Sequence, residues 1–420
     1  MKIVIAVFGS LGDMHPMNAL GIELKNRGHE VAFAAMEFYR EKLEMLGFEF
    51  RPMRPHFNLE TEDNKELATR LMDAEKGSEL LLKEMILPNL RPMFDDLMKA
   101  VAGADLLIST EVVFAAASVV EKTGIKWVTT NLAPGTFLSA HDPFVPPTAV
   151  WLRHFRFLGS IFHGAMFKIA RKIVASWFGE YREFRRELGL SEDHEPLFSG
   201  KSKMLNLAMF SRVLGKPQPD WHSPTLQTGF CFYDGKDDLG KMPEGLTEFL
   251  ENGEPPIVFT LGSAAVMDAR DFFEESAKAA RILNKRAVLL YGIFNEPPKI
   301  LDENIVGFDY APYSFVFPKA ACVVHQGGVG TTSQVLRAGV PHLFMPYAHD
   351  QPDNAARCER LGVARMISRD NYNAQTAVRE IGKLLSVESY KNNAVEAAKI
   401  VQSEHGTQTA CDAIESLLKI

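Results

Sequence analysis

The chain has little cysteine, no surplus of positive charge and no long apolar run, and each shortage removes a class of protein. Its four cysteines, Cys231, Cys322, Cys358 and Cys411, are scattered through 420 residues without a Cys-x-x-Cys pair. A zinc ribbon or dithiol redox site is therefore not expected, and scattered thiols suit a reducing cytoplasm. Lys and Arg number 46 against 53 Asp and Glu, a net charge of -7. A surface that tracks nucleic-acid phosphates needs the opposite balance. No stretch reaches about 18 apolar residues, so no spanning helix is expected. After Lys2 a short apolar run breaks at Gly9 with no small-residue cleavage site, so no signal peptide is expected. Two phosphate motifs are missing as well. There is no G-x-x-x-x-G-K-[ST], and the pattern G-x-G-x-x-G is nowhere complete with its downstream acid.

What is present is strand–helix alternation, twice. A hydrophobic content of 46% with 24% charged residues is that of a globular protein, and 420 residues suggest two domains. KIVIAVF is a continuous, β-branched apolar run, which needs burial on both faces as in a parallel sheet. The turn GSLGDMHP follows, then a helical pattern with Gly28 as a plausible C-cap, then VAFAAM, ADLLIST and KWVTTNL as further strands. Residues 215–255, rich in Gly, Pro and Asp, read as a linker. A second series follows from 256 to 420, with PPIVFTLGS, RAVLLYG, NIVGFDY, ACVVHQG and HLFMPY as strands and helices at the end. The expected class is α/β: two doubly wound, Rossmann-like domains, 1–214 and 256–420, with the last helix a candidate to pack back on the first domain.

Between 143 and 190 the texture changes to an aromatic and basic stretch that reads as one or two long helices. Its apolar stripe packs on the first domain, or it forms a lid whose Trp151, Phe155, Phe157, Phe162 and Phe167 line a pocket for a hydrophobic molecule. Arg153, Arg156, Lys168, Arg171 and Lys172 form a solvated face or a peripheral membrane contact.

VVHQGGVGTTSQVL is a strand, a glycine-rich turn and a helix start. Gly327, Gly328 and Gly330 let a ligand approach the backbone. Thr331 and Thr332 stand where free N–H groups and hydroxyls gather, a natural anion site. The bland alternative is a tight turn with no ligand. His325 and Gln326 stand at the strand end, and Asp350 with Gln351 at the end of the next strand. A carboxylate beside an amide suits vicinal hydroxyls, so the two turns together suggest a nucleotide diphosphate sugar.

The stretch from Tyr310 to Asn354 resembles the donor signature of nucleotide-sugar-dependent glycosyltransferases of the GT-B fold. It is most similar to the bacterial macrolide, sterol, glycopeptide and rhamnolipid-type enzymes and, more remotely, to plant natural-product glucosyltransferases. GSLGDMHP resembles the family's GS-x-GD-x-x-P opening. The resemblance implies an acceptor domain and a donor domain facing across a cleft, and transfer with inversion. It places Ser263, Gly328, Gly330, Thr331 and Thr332 on the diphosphate and Asp350 and Gln351 on the sugar. Gln334 stands at the ribose, Tyr310 at the stacking position of the base, and the Ala311 backbone beside it. Departures are plain. His325–Gln326 replaces the two histidines of many bacterial relatives, and Gln326 can donate but carries no charge. Tyr310 and Gln334 replace a Trp and a Glu of plant members, leaving uracil and thymine both open. UDP-glucose is the first expectation for the donor and dTDP-rhamnose the second.

Asp13 stands where many plant members carry a catalytic His, as in several bacterial relatives. A carboxylate within reach of a hydroxyl can take its proton. Alternatively Asp13 only caps the helix starting near Pro16, and His15 is the second candidate base. Plant members orient their His by an Asp after a later strand; that region here reads ISTEVVF, with Thr110 and Glu111. Metal-dependent glycosyltransferases of the other common fold use an Asp-x-Asp at a strand end. Asp95–Asp96 and Asp237–Asp238 are not so placed, and no metal or cofactor is expected. Phe137, Phe144, Trp151 and Phe155 are the expected acceptor contacts, for a phenol, sterol, macrolide or hydroxy-lipid. Rival readings are a sugar-nucleotide epimerase or hydrolase of the same architecture, a nicotinamide-dependent oxidoreductase, and a non-catalytic binding module.

Overall fold

The structure is a computed structural model that describes residues 1–57, 61, 64–198, 200–235, 242–262 and 264–418. Two parallel sheets organise it. The first runs β1 (Lys2–Ala6), β2 (Glu30–Ala35), β3 (Glu49–Pro52), β4 (Leu106–Thr110), β5 (Lys126–Asn131), β6 (Leu205–Ala208) and β7 (Thr225–Gln227), in the spatial order 3-2-1-4-5-6-7. The second runs β8 (Ile257–Thr260), β9 (Ala287–Leu290), β10 (Ile305–Phe308), β11 (Cys322–His325), β12 (His342–Phe344) and β13 (Ala364–Met366), in the order 10-9-8-11-12-13. Their first strands are central for the reason visible in their composition. Ile3, Val4 and Ile5, and likewise Ile257, Val258 and Phe259, are buried on both faces.

In each sheet the chain leaves the first strand in one direction and returns on its other side. The switch points lie between β1 and β4, and between β8 and β11. Crevices beyond the carboxyl ends of such strands are where open α/β sheets take ligands. Here the two crevices face each other.

Residues 215–255, linker-like in composition, include β7 at the edge of the first sheet and a helix, Leu246–Glu251, whose Leu246 and Leu250 are buried against Val258 and Val288. The last helix, Gly406–Leu418, crosses back: Ala410, Cys411 and Ile414 join the core of the first domain, and Arg27 pairs with Asp412 at 2.6 Å and Glu415 at 3.1 Å. A third buried cluster belongs to both domains, with Phe137, Phe210 and Leu214 meeting Leu336, Phe344 and Cys358. Beside it Arg357 is buried between Asp353, at 2.7 Å, and Asp142 of the first domain. Asp353 also accepts the Val145 N–H at 3.1 Å. These contacts fix how the two crevices are opposed. No helix among the described residues is long and apolar enough to cross a membrane.

Candidate active site

The cleft between the sheets holds a cavity of about 1150 Å³. Its floor on the first domain is the turn after β1. Gly9 has a φ of +137°, and a Cβ there would lie 2.2 Å from Asp13 Oδ2, so the carboxylate occupies the space a side chain would need. The helix that follows, Leu11–Asn26, begins with a capping box. Ser10 Oγ accepts the Gly12 N–H at 3.2 Å, and Asp13 Oδ2 accepts the Ser10 N–H at 2.8 Å. The helix starts earlier than Pro16, and Asp13 sits in its first turn while also lining the cavity. Burial pushes its carboxyl up to about 6, against the Ser10 hydrogen bonds that lower it. His15 lines the cavity one step on, its ring 5.3 Å from that of Tyr233.

The facing turn, after β11, is built differently. Gly327 has a φ of +100°, and the helix Val329–Ala338 starts at Gly328 with no side-chain cap. Its first N–H groups therefore point into the cleft without a protein acceptor from a cap. The Gln326 amide lies over the turn: a Cβ at Gly262 would come within 2.2 Å of its Nε2, and one at Gly328 within 3.0 Å. A Cβ at Gly330 would meet Gly12 Cα at 3.7 Å, so the two helix starts stand nose to nose across the cleft. Two positive dipole ends at this separation favour an anion between them. Asp13 supplies one to its own helix; the second helix has none.

Around that turn stand the remaining polar groups. Burial pushes Asp350 up to about 7, and its Oδ2 accepts from Asn354 Nδ2 at 2.7 Å, which also donates to the Gly327 carbonyl at 3.0 Å. Gln351 Oε1 accepts the Tyr347 N–H at 2.8 Å, leaving its NH2 toward the cavity and Met72. Tyr310 is half exposed at the rim beside Tyr313, and Gln334 lines the wall.

The cavity brings together Asp13, His15, Tyr310, Gln326, Gly328, Gly330, Thr331, Gln334, Asp350, Gln351 and Phe144. Others fall elsewhere. Ser263 lies outside the described residues. His325 is the last residue of β11 and turns into the core. Its Nε2 meets His342 Nδ1 at 3.0 Å, its Nδ1 accepts the Gly327 N–H at 3.1 Å, and burial holds the ring down at about 3, hence neutral. It shapes the turn from behind, and Gln326, one residue further, is the side chain that reaches the cleft. Thr332 is buried behind Thr331, about 100° further around the helix. Ala311 is buried in the second domain's core, between cavity-lining Tyr310 and Pro312.

The aromatic acceptor contacts are corrected most. Phe137 stacks on Trp221, with centroids 4.0 Å apart, inside the interdomain core. Trp151 and Phe155 lie on the outer surface, as do Phe157 and Phe162. The segment Pro147–Leu158 coils as 3-10 turns with a kink at Ala149, and this turns Leu152, Arg153 and Arg156 inward instead. The lid's inner lining comes from the next helix, Gly159–Ala175, through His163, Met166, Phe167 and Val174, with Trp177 beyond it.

Sequence reasoning passed over Lys201, which is coupled electrostatically to Glu111 at the first switch point. Glu111, just past β4, faces Lys201, whose Nζ donates to Asn131 Oδ1 at 2.9 Å and the Thr136 carbonyl at 3.2 Å. Burial raises the Glu111 carboxyl and lowers the Lys201 ammonium, and their mutual attraction opposes both shifts. Lys201 comes from irregular chain before β6, where no pattern marks it. Met72, Leu82 and Met85, from the segment between β3 and β4, also close the cavity and were not legible.

Comparison with known proteins agrees with this geometry. Residues 3–141 match the glycosyltransferase family 28 N-terminal domain. Residues 296–417 match the erythromycin biosynthesis protein CIII-like C-terminal domain. The O-mycaminosyltylonolide 6-deoxyallosyltransferase of Streptomyces fradiae is 30% identical across 99% of this chain and 97% of its own. A sterol 3-beta-glucosyltransferase of Neurospora crassa is 26% identical over 99% of this chain, which spans 27% of that longer protein. The solved structure of the Streptomyces sp. SF2575 glycosyltransferase SsfS6, complexed with thymidine diphosphate, aligns over 99% of both chains with a TM-score of 0.66 and 19% identity. Two parallel α/β domains facing across such a cleft are the GT-B architecture. The chain belongs to the nucleotide-sugar glycosyltransferases of the macrolide type.

Proposed function

We propose that the enzyme moves a hexosyl group from a nucleoside diphosphate sugar to a hydroxyl of a hydrophobic acceptor, with inversion and without a metal ion. The observation that carries this reading is the uncapped start of Val329–Ala338 directly across the cleft from Asp13. The diphosphate lies against the N–H groups of that first turn, the Thr331 hydroxyl and Gln326 Nε2. Asp350 and the Gln351 amide take sugar hydroxyls, and Tyr310 stacks on the base. The acceptor enters under the lid, against Phe144, Phe167 and Trp177. Its hydroxyl gives its proton to Asp13 as the oxygen bonds to the anomeric carbon. The bond from that carbon to the diphosphate breaks, and the charge left on the nucleoside diphosphate is met by the helix start. A carboxyl raised to about 6 is ionised at neutral pH and is a stronger base than an exposed one.

A 6-deoxyhexosyl relative and a thymidine diphosphate complex in the same fold support a dTDP-sugar, and a sterol glucosyl relative supports UDP-glucose. Calorimetric titration in chelator with UDP, UDP-glucose, dTDP and dTDP-rhamnose, for wild type and Thr331→Ala, separates them. One nucleotide series binding tightly and weakening in the variant is the expected result. No binding to any of the four overturns the reading, and binding that requires an added divalent cation overturns the metal-free part.

A further inference from the structure

The outer face of the lid is apolar where a water-facing helix is ordinarily polar. Ile161, Ala165, Ile169 and Ile173 recur every four residues along Gly159–Ala175 and form one stripe. Ile161 is 90% exposed, Ile169 57% and Ile173 59%, and Phe157 just before the helix is 78% exposed. Single exposed apolar residues are ordinary, but a contiguous stripe of them marks a contact surface. The charge around it is one-sided. From 143 to 179 the chain has five cations and no carboxylate, within a protein of net charge -7. Arg153 faces Glu359, Arg156 pairs with Asp142 and Arg171 with Glu195. Lys168 and Lys172, flanking the stripe, make no ion pair among the described residues. The opposite face of the same helix, with His163, Met166 and Phe167, is a wall of the cavity.

We propose that this stripe docks on an anionic lipid surface, the isoleucines entering the acyl boundary and Lys168 and Lys172 meeting the headgroups. An apolar face with flanking lysines and no acid is the composition of a helix that lies in a membrane interface. A second copy of the chain fits less well. A two-fold contact would set Lys168 and Lys172 of each copy near those of the other, like charge against like. The position also has a consequence for the acceptor. One helix thickness, about 10 Å, separates the docked face from the cavity, so a greasy hydroxyl compound held in the bilayer lies beside its entrance.

The test is co-sedimentation of the purified full-length protein with vesicles of phosphatidylcholine alone and of phosphatidylcholine with phosphatidylglycerol. The protein is expected to pellet with the mixed vesicles, far less with the neutral ones, and less as salt rises. Lys168→Glu with Lys172→Glu is expected to weaken partitioning roughly 30-fold or more. Ile161→Asp, Ile169→Asp and Ile173→Asp together are expected to abolish it, with nucleotide binding by calorimetry unchanged. That titration reads the donor site separately, so its failure is distinguishable from failure at the membrane. Wild-type protein that stays in the supernatant with both vesicles at low salt overturns the proposal. So does a wild-type dimer in analytical ultracentrifugation that the isoleucine variant dissolves, since the stripe then belongs to a second copy.

Discussion

The turn after β1 and the turn after β11 have the same plan: a buried strand, glycines, then a helix whose positive end opens on the cleft. They differ in what satisfies that end. In the first, Ser10 and Asp13 close a capping box, so the helix start is neutralised by its own side chains. In the second the cap position is Gly328, which has no side chain to offer. The first turn therefore presents a carboxylate to the cleft and the second presents N–H groups. One can accept a proton and the other can hold an anion, and a group transfer to a hydroxyl needs both. The chemical division of the site thus follows from which residue stands at each helix start.

Replacing Asp13 by Asn is the strongest test of the first half. Asn keeps an acceptor for the Ser10 N–H but cannot take a proton. The turnover rate is expected to fall by about 10²–10⁴ while nucleotide affinity stays as in wild type. An Asp13→Asn enzyme with near-normal turnover would leave Asp13 a cap only and move the base to His15. The wild-type rate should also fall on the acid side through about pH 6. The sign follows from the direction of the shift. A carboxyl raised above its usual range is protonated already at mildly acid pH, and the base form is lost as pH drops.

The two turns act together only while they are held opposite each other. Arg357, with Asp142 and Asp353, is the buried link that holds them. Arg357→Ala leaves buried Asp353 without its cation and Asp142 with only Arg156 and Arg360, and about 3–5 kcal/mol of stability is expected to go. Denaturant unfolding measures it. A loss below about 1 kcal/mol would mean that the pair is replaced by water and that the shared cluster around Phe137 and Phe344 alone sets the geometry.

Converting the second turn into the first gives a sharper test. Gly328→Asp places a carboxylate at the uncapped helix start, in a backbone conformation other residues adopt. The built-in anion competes with the diphosphate, so nucleotide binding is expected to weaken about 100-fold or more while the helix is stabilised by a few tenths to about 1 kcal/mol. Unchanged nucleotide affinity would show that the diphosphate lies elsewhere in the cavity.

Both turns and the central strands were legible because they depend on local chemistry. KIVIA and IVFT can only be buried strands, and the glycines after them have few other uses. The side on which a residue emerges was less legible. His325 and Gln326 are adjacent, yet one faces the core and one the cleft, and the strand's last register position decides which. In the lid, the kinks at Ala149 and Gly159 break the helical period, so Leu152 points inward and Trp151 outward. Lys201 and Met72 are in the site, and Arg357 is in the buried link between the domains, because distant segments meet, and no spacing in the sequence records that. β7 was hidden for another reason: three residues of strand at a sheet edge carry too little pattern to stand out from a Pro-rich surrounding.

The smallest expected effect separates the two duties of Asp13. Ser10→Ala removes the hydroxyl that accepts from Gly12 at 3.2 Å and lies 3.3 Å from Asp13 Oδ2, but leaves the Ser10 N–H that holds the carboxylate. The lost cap is expected to cost about 1 kcal/mol in unfolding. The Ser10 hydroxyl also favours the ionised carboxylate, so its removal should move the acid limb of the rate to higher pH, with the rate on the plateau little changed. If Asp13 were a cap and nothing more, stability would fall and the pH profile would stay where it was. A shift of the limb together with the loss of stability ties the helix cap and the base to the same carboxylate.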